Sequence, residues 1–517
     1  MKRKLAGSIS YVMLIMVMSR VLALVSSQYY MSHFGVDDVN INIYSYAVSL
    51  PNIIFNCFGT ALSTVVIPIY TDYISNNKRG QAKKFADNII TIATVFSLIL
   101  VAIGIVFSPV ISKISGYDST PEIRSFCTKA LMIMMPAMLF YGLNYIFQGM
   151  LQSEGVFGWP AFVSVPSSIV VILYVALLSD RFGVSGLLVA TLIGLSLQAI
   201  ILIPPLLKCG YRYRPHFSLK DPDIIKAGKM TLPVLLGASS YQLNMFFNIN
   251  MIARFGMVTL LTFVQNLILN MVLAFVYSIT AVLYPKLTEY ASTNRMSEYK
   301  KALNDVLNSV ILLLVPITFG LLCVRTEFLD LITKWGKIDE SDVKNASMLI
   351  AMYSIGIVGI GLKEILDRAF YALKETRVSA INGFIIMLVN ISLSIALMIP
   401  LKAFGIPLAY SLASLTGTVI LIVMLTRRIG NFLDSTPVIF VKSILSAIIM
   451  SACVLLCSHY ISGFTNDSLV SRLINLFVPV GVGVLVYAVM LIVFDAGPAR
   501  QIASNLFKKF NKFKGKQ

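Results

Sequence analysis

Charged side chains are scarce in this chain, so each one inside an apolar run needs a reason. Arg20 stands about midway along the apolar stretch 9–33, where a charge is costly unless it faces a cavity or a partner. A guanidinium held there can grip a phosphate through two parallel hydrogen bonds, so the chemistry Arg20 offers is recognition of an anion. The competing reading is an arginine that caps a carbonyl or reaches the membrane edge. A second set, Lys363, Glu364, Asp367 and Arg368, lies in LKEILDRAFYALKETR. On a helix these positions share one face, where they hold a charged ligand or pair with one another. A third set is amides: Asn42, Asn52, Asn56, Asn266 and Asn270. Asparagines in membrane helices bond to other helices, so each alone is a weak sign of a site.

Covalent chemistry finds no support. His33, His216 and His459 fall near the ends of apolar runs or in loops and form no catalytic or metal set. The six cysteines, Cys57, Cys127, Cys209, Cys323, Cys453 and Cys457, show neither metal spacing nor a disulfide framework. There is no phosphate-cradling GxxxxGK[ST] loop for ATP hydrolysis. Isolated carboxylates deep in apolar runs are few, which argues against a relay of buried acids. The expectation is a transporter with no catalytic residue, metal or cofactor, driven by a coupling ion or the membrane potential.

The elements that must position these residues are membrane helices. Hydrophobic residues make up 57% of the chain and charged residues 13%, about half the charge of a soluble domain. Mean hydropathy is +0.81. Continuous apolar runs of about 20 residues or more recur along the chain, each long enough to cross a bilayer core. We count about 14 spans, among them 9–33, 44–71, 124–151, 158–179, 184–207 and 343–372, giving an all-α integral membrane protein. The net charge of +18 belongs to loops on one side of the membrane, not to a nucleic-acid surface. The positive-inside rule then puts both termini in the cytoplasm. The opening residues imitate a signal peptide, but Arg20 interrupts the apolar run, and an uncleaved first span is expected.

The chain also repeats itself. LPNIIFNCFGTALSTVVIPIYTDYIS (50–75) returns as ILNMVLAFVYSITAVLYPKLTEYAST (268–293), with Pro68 answering to Pro285 and Tyr73 to Tyr290. Tyr30–Gly35 echoes Met251–Gly256, and Phe182-Gly183 echoes Phe404-Gly405. A common offset of about 220 residues means a duplicated unit. Six spans per copy make the repeats parallel. The expected organisation is an amino-terminal lobe over 1–207, a cytoplasmic linker over 208–229, and a carboxy-terminal lobe over 230–428. Two added spans follow over 429–496, then a basic tail over 497–517. Within the linker, 219–225 is expected to form an interfacial helix. Substrate is expected in a central cavity between the lobes.

LPNIIFNCFGTALSTVVIPIYTDY and LDRAFYALKETR resemble the MurJ lipid II flippase family, of the multidrug/oligosaccharidyl-lipid/polysaccharide exporter superfamily. Ser19-Arg20-Val21-Leu22 and GMLQSEGVFGWPAF (149–162) are further points of resemblance, which extends over about the whole chain. It implies an alternating-access carrier in the cytoplasmic membrane of a bacterium. The cargo would be lipid II, an undecaprenyl-pyrophosphate-linked disaccharide-pentapeptide, moved from the inner to the outer leaflet for cell-wall synthesis. Implied partners are that lipid, membrane lipids and cell-wall synthesis proteins. Arg20 matches the family's arginine in the first span. Other charged positions of the family are occupied here by Ser26, Asn42, Phe55 and Asn266, which makes the expected cavity less cationic. Lys363 is a candidate replacement. The substrate contacts expected are therefore Arg20, Asn42, Asn266, Lys363, Glu364 and Arg368. The alternatives are an exporter of another polyprenyl-linked glycan (teichoic acid, capsule or O-unit), a multidrug-type cation antiporter, and a membrane scaffold for cell-wall enzymes.

Overall fold

The computed structural model describes residues 2–117, 120–333, 337–462 and 468–495; the basic tail expected over 497–517 lies outside them. Among the described residues every regular element is helical. The chain begins with α1 (Lys2–Phe34), α2 (Val39–Ser75), α3 (Arg79–Ile114), α4 (Pro121–Met134), α5 (Ala137–Ser153) and α6 (Gly158–Phe162). It continues with α7 (Val165–Leu177), α8 (Ser179–Ile200), α9 (Ile203–Lys208), α10 (Pro222–Ala253), α11 (Val258–Ser292) and α12 (Met296–Thr333). The last six are α13 (Glu340–Ser354), α14 (Ile357–Ala372), α15 (Thr376–Leu401), α16 (Gly405–Ile429), α17 (Thr436–Ser462) and α18 (Leu469–Val493).

Eight described helical stretches are long and apolar enough to cross a membrane, or nine if the pair α13–α14, bent by 43°, is one span. That test does not reach the sequence count of 14. The outer surfaces are apolar in a way water would not tolerate: Ile399 is 82% exposed, Leu177 74% and Val106 73%. Hydrocarbon is the solvent such surfaces require.

Several expected spans are broken helices. Run 124–151 divides at Met135-Pro136, run 158–179 ahead of Pro166, and run 184–207 ahead of Pro204. Proline lacks an N–H and crowds the preceding turn, so each break falls where the helical ladder cannot continue. Run 343–372 breaks at Ile355-Gly356 for a different reason. A Cβ on Gly356 would stand 2.6 Å from the Ser411 Cα, and one on Gly359 3.1 Å from the Leu415 Cα. α14 therefore approaches the α16 backbone as only glycine allows, and Thr418 Oγ1 donates to the Gly359 carbonyl at 2.8 Å.

The duplication is visible in individual hydrogen bonds. α2 ends on Asn77 (φ 56°), with Lys78 N–H donating to the Tyr73 carbonyl at 2.8 Å. α11 ends on Asn294 (φ 57°), with Arg295 N–H donating to the Tyr290 carbonyl at 2.9 Å. Gly35 (φ 89°) after α1 and Gly256 (φ 66°) after α10 are likewise both left-handed. The third expected match departs from this pattern. Gly183 is left-handed (φ 56°), but ahead of Gly405 that conformation belongs to Lys402 (φ 50°).

The chain divides into two compact units: the described residues of Met1–Thr259 with Trp335–Ile338, and those of Leu260–Lys334 with Asp339–Gln517. In the first, α10 packs on α2 and α3. Its core includes Val66, Ile69, Phe85, Ile89, Met150 and Leu206 from α2, α3, α5 and α9. Residues 211–218 cross the start of α3 as an extended strap. Buried Asp87 accepts from the Tyr211 hydroxyl at 2.7 Å and the Arg214 N–H at 3.1 Å. Asn88 exchanges two bonds with Ser218, at 2.8 and 2.9 Å. Burial, and then the bond to Asp87, push the Tyr211 phenol well above its usual pKa. The interfacial helix expected over 219–225 is not a separate element. Its first residues are a turn, Asp221 caps α10 by accepting from the Asp223 N–H at 3.0 Å, and the rest is the first turn of α10. In the second unit, α15 pairs with α16, and α17 packs on α12 and α18.

Candidate functional site

The expected contacts fall in both units: Arg20 and Asn42 in the first, Asn266, Lys363, Glu364 and Arg368 in the second. In the first unit α1 rests on α6 and α7, and Ser19 fixes its rotation. Ser19 is buried and donates to the Ala161 carbonyl at 3.0 Å. The next residue is turned by about 100° on a helix of 3.6 residues per turn, and Arg20 is accordingly exposed. A buried hydroxyl anchor thus leaves Arg20 on an exposed face of α1.

Asn42 does different work. Its side chain is fully buried, donates to the Val36 and Asp38 carbonyls at 2.7 and 3.2 Å, and accepts from the Thr259 N–H at 3.1 Å. The whole amide is used to tie the start of α2 to the Thr259 backbone. Nearby, Ser45 and Thr259 share a hydroxyl bond of 2.9 Å.

Farther along α2 the amides meet phenols that sequence reasoning missed. Asn56 donates to Asn52 at 2.5 Å, Tyr145 of α5 donates to Asn56, and the Tyr141 hydroxyl bonds to Asn52. Gly59 makes room for this rung, since a Cβ there would stand 2.3 Å from the Tyr145 ring. Phe55, where the resemblance implied a charge, is wholly buried against Gly142 of α5. Ser26, where it implied another, is also buried. Both side chains are packed inside the first unit and offer no charge to a ligand.

In the second unit Asn266 is exposed on α11, and the Asn270 side chain lies outside the described set. The charges of α14 pair along the helix. Lys363 Nζ lies 2.6 Å from Asp367 Oδ2, and Arg368 NH2 lies 3.1 Å from Glu364 Oε1. The Arg368 guanidinium also sits 5.9 Å from the Tyr371 ring centre and 6.0 Å from that of Tyr284. Two cations and two carboxylates make a face with no formal charge. Asp367 Oδ1 and Arg368 Nε are buried and make no hydrogen bond to the described residues. Such a face can orient a dipolar or anionic group, but only against its own carboxylates.

Sequence spacing foresaw this pairing as one of two options. It did not foresee a cavity of about 610 Å³ at the ends of α11, α14 and α16 and the start of α12. Lys300, Lys374 and Arg428 line it with Glu375. The available signal was the repeat itself: Gly155 ends α5, and Lys374 occupies the corresponding place after α14.

A profile of the family described as Lipid II flippase MurJ matches residues 31–475. A probable lipid II flippase MurJ of Buchnera aphidicola subsp. Acyrthosiphon pisum is 24% identical over 488 residues, covering 93% of this chain and 95% of that one. A lipid II flippase MurJ of Thermosipho africanus is 24% identical over 479 residues, covering 92% and 94%. A solved lipid II flippase MurJ in an inward closed conformation aligns with a TM-score of 0.78 at 23% identity, over 95% of this chain and 99% of that one. An inward-facing multidrug resistance transporter of the MATE family aligns at 0.64, with 14% identity over 80% and 95%. The fold is thus shared with that transporter as well.

Proposed function

The chain belongs to the lipid II flippase MurJ family, and we propose that it moves lipid II from the inner to the outer leaflet of the bacterial cytoplasmic membrane. The observation that carries this reading is the family match over 31–475, which includes both copies of the repeated stretch, 50–75 and 268–293. The apolar outer surfaces and Arg20 support it. The work is transport, with the lipid-linked glycan leaving as it entered. A coupling ion or the membrane potential drives the cycle, and both termini lie in the cytoplasm by the charge of the loops.

Arg20 is the proposed contact for the pyrophosphate, since a charged hydrogen bond to a planar donor is the strongest such grip the site offers. Lys363, Glu364, Arg368 and Asn266 are proposed as further contacts with the polar head group. Asn42 is proposed to act by position, holding α2 in place.

Complementation tests the reading. A host depleted of its own lipid II flippase should grow when given this chain, and should fail with Arg20→Ala at equal membrane level. Arg20→Lys should recover part of the activity, because it restores charge without the planar fork. Failure of a well-inserted wild-type chain both to sustain growth and to bring lipid II to the outer leaflet would overturn the proposal.

A further inference from the structure

We propose that Lys300, Lys374 and Arg428 form a binding site for a phosphate-bearing molecule in the cavity of about 610 Å³ at one end of the second unit. This site is separate from the α14 charges and from Arg20, and nothing in the transport reading requires it. Its volume lies within the range of small-molecule sites, roughly 300–1,000 Å³.

Three observations converge. The first is charge. Arg428 Nε donates to Glu375 Oε1 at 2.5 Å, so the one carboxylate among the described lining residues is already neutralised. Lys300 and Lys374 remain in excess around a cavity that also carries Thr288 and Ser292.

The second is backbone conformation. The same helix ending occurs after α2, α5, α11 and α14, with left-handed Asn77 (φ 56°), Gly155 (φ 77°), Asn294 (φ 57°) and Lys374 (φ 62°). Glycine and asparagine adopt this conformation readily, whereas lysine is strained in it. A charged side chain kept at a strained position beside a cavity is a sign of use.

The third is space. Lys300 Nζ lies only 3.2 Å from where a Cβ on Gly430 would stand. Gly430 is itself left-handed (φ 78°), so glycine there leaves the ammonium its place in the lining.

Lysine ammonium groups with an arginine fork are the donor set for phosphate oxygens. Two sources share that chemistry: the head group of an anionic phospholipid and a soluble organic phosphate.

The test uses the full chain in nanodiscs of zwitterionic lipid. Pyrophosphate binding is measured by calorimetry at low and high salt, and retention of phosphatidylglycerol by native mass spectrometry. Wild type should bind pyrophosphate, retain phosphatidylglycerol, or both. Lys374→Gly should melt no lower than wild type, because it relieves the backbone, yet lose about tenfold or more in affinity. Lys300→Gln should lose a similar factor, and decides the matter alone if Lys374→Gly misfolds. Pyrophosphate binding identifies a soluble ligand; retention of phosphatidylglycerol alone identifies a lipid. Absence of both in wild type, or unchanged binding in the variants, would overturn the proposal. The readout is binding, so its failure leaves lipid II transport untouched.

Discussion

Replacing Asp367 by alanine leaves Lys363 on α14 without its carboxylate, and the size of the effect follows from burial. At 2.6 Å and an effective dielectric of about 20, the gross attraction is about 6 kcal/mol. Desolvation of both groups offsets much of it. Exposed pairs one helical turn apart contribute about 0.3–0.5 kcal/mol, whereas breaking a buried pair costs about 3–5 kcal/mol. Here Asp367 is 8% exposed at its side chain and Lys363 29%, which places the pair between these limits. Asp367→Ala is expected to cost about 2–3 kcal/mol. A double-mutant cycle with Lys363→Ala should give a coupling of about 1.5 kcal/mol. Arg368–Glu364, with side chains 36% and 22% exposed, should couple more weakly. Unfolding in detergent, followed by circular dichroism, measures all of these. A Lys363–Asp367 coupling of about 0.5 kcal/mol or less, or the reverse ranking, would refute the reasoning from burial. Asp367→Asn adds a functional arm: it releases the Lys363 charge while keeping the side-chain shape, and should tighten binding of an anionic head group.

Two further outcomes are expected. The Tyr73 hydroxyl donates to Asp223 Oδ2 at 2.5 Å, beyond the span expected over 44–71, and that bond first, then burial, push its pKa up to about 12. The folded state therefore favours the neutral phenol. Its stabilisation is full below about pH 10 and is lost as pH rises toward 12, so Tyr73→Phe should flatten the alkaline loss of melting temperature between pH 9 and 12. Gly356→Ala should destabilise by about 1–3 kcal/mol by forcing α14 from α16, whereas Gly228→Ala, with nothing within 4 Å of the added carbon, should stabilise α10 by about 0.5–1 kcal/mol. Thermal melts of the two variants should move in opposite directions.

The helices and the duplication were legible because both are written locally, in apolar length and in recurring turn residues. Tyr73 and Tyr290 mark loops that close with the same bond. The helix breaks were less legible. Pro136, Pro166 and Pro204 were visible, but hydropathy runs straight through them, and the bend at Gly356 depends on Ser411, which lies far along the chain. The α14 charges announced their pairing by spacing alone. Asn42 could not be read so easily, since Thr259, which fixes its role, is 217 residues away. Tyr145 and Lys374 were missed because a phenol or a lysine in a helix acquires meaning only from what the fold sets beside it.

The strap over α3 has a consequence in time. Asn88 and its partner Ser218 are 130 residues apart in the chain, and at about 5–20 residues per second a ribosome takes roughly 6–26 s to make the distance. Through that interval Asp87 and Asn88 have no strap to bond, so the beginning of α3 must stay at the water boundary while the helices from α4 to α9 are laid into the bilayer behind it. The helices from α3 to α9 are thus tied down late, by the arrival of a short extended segment, and α10, the last helix of the first unit, is laid against α2 and α3 only after it.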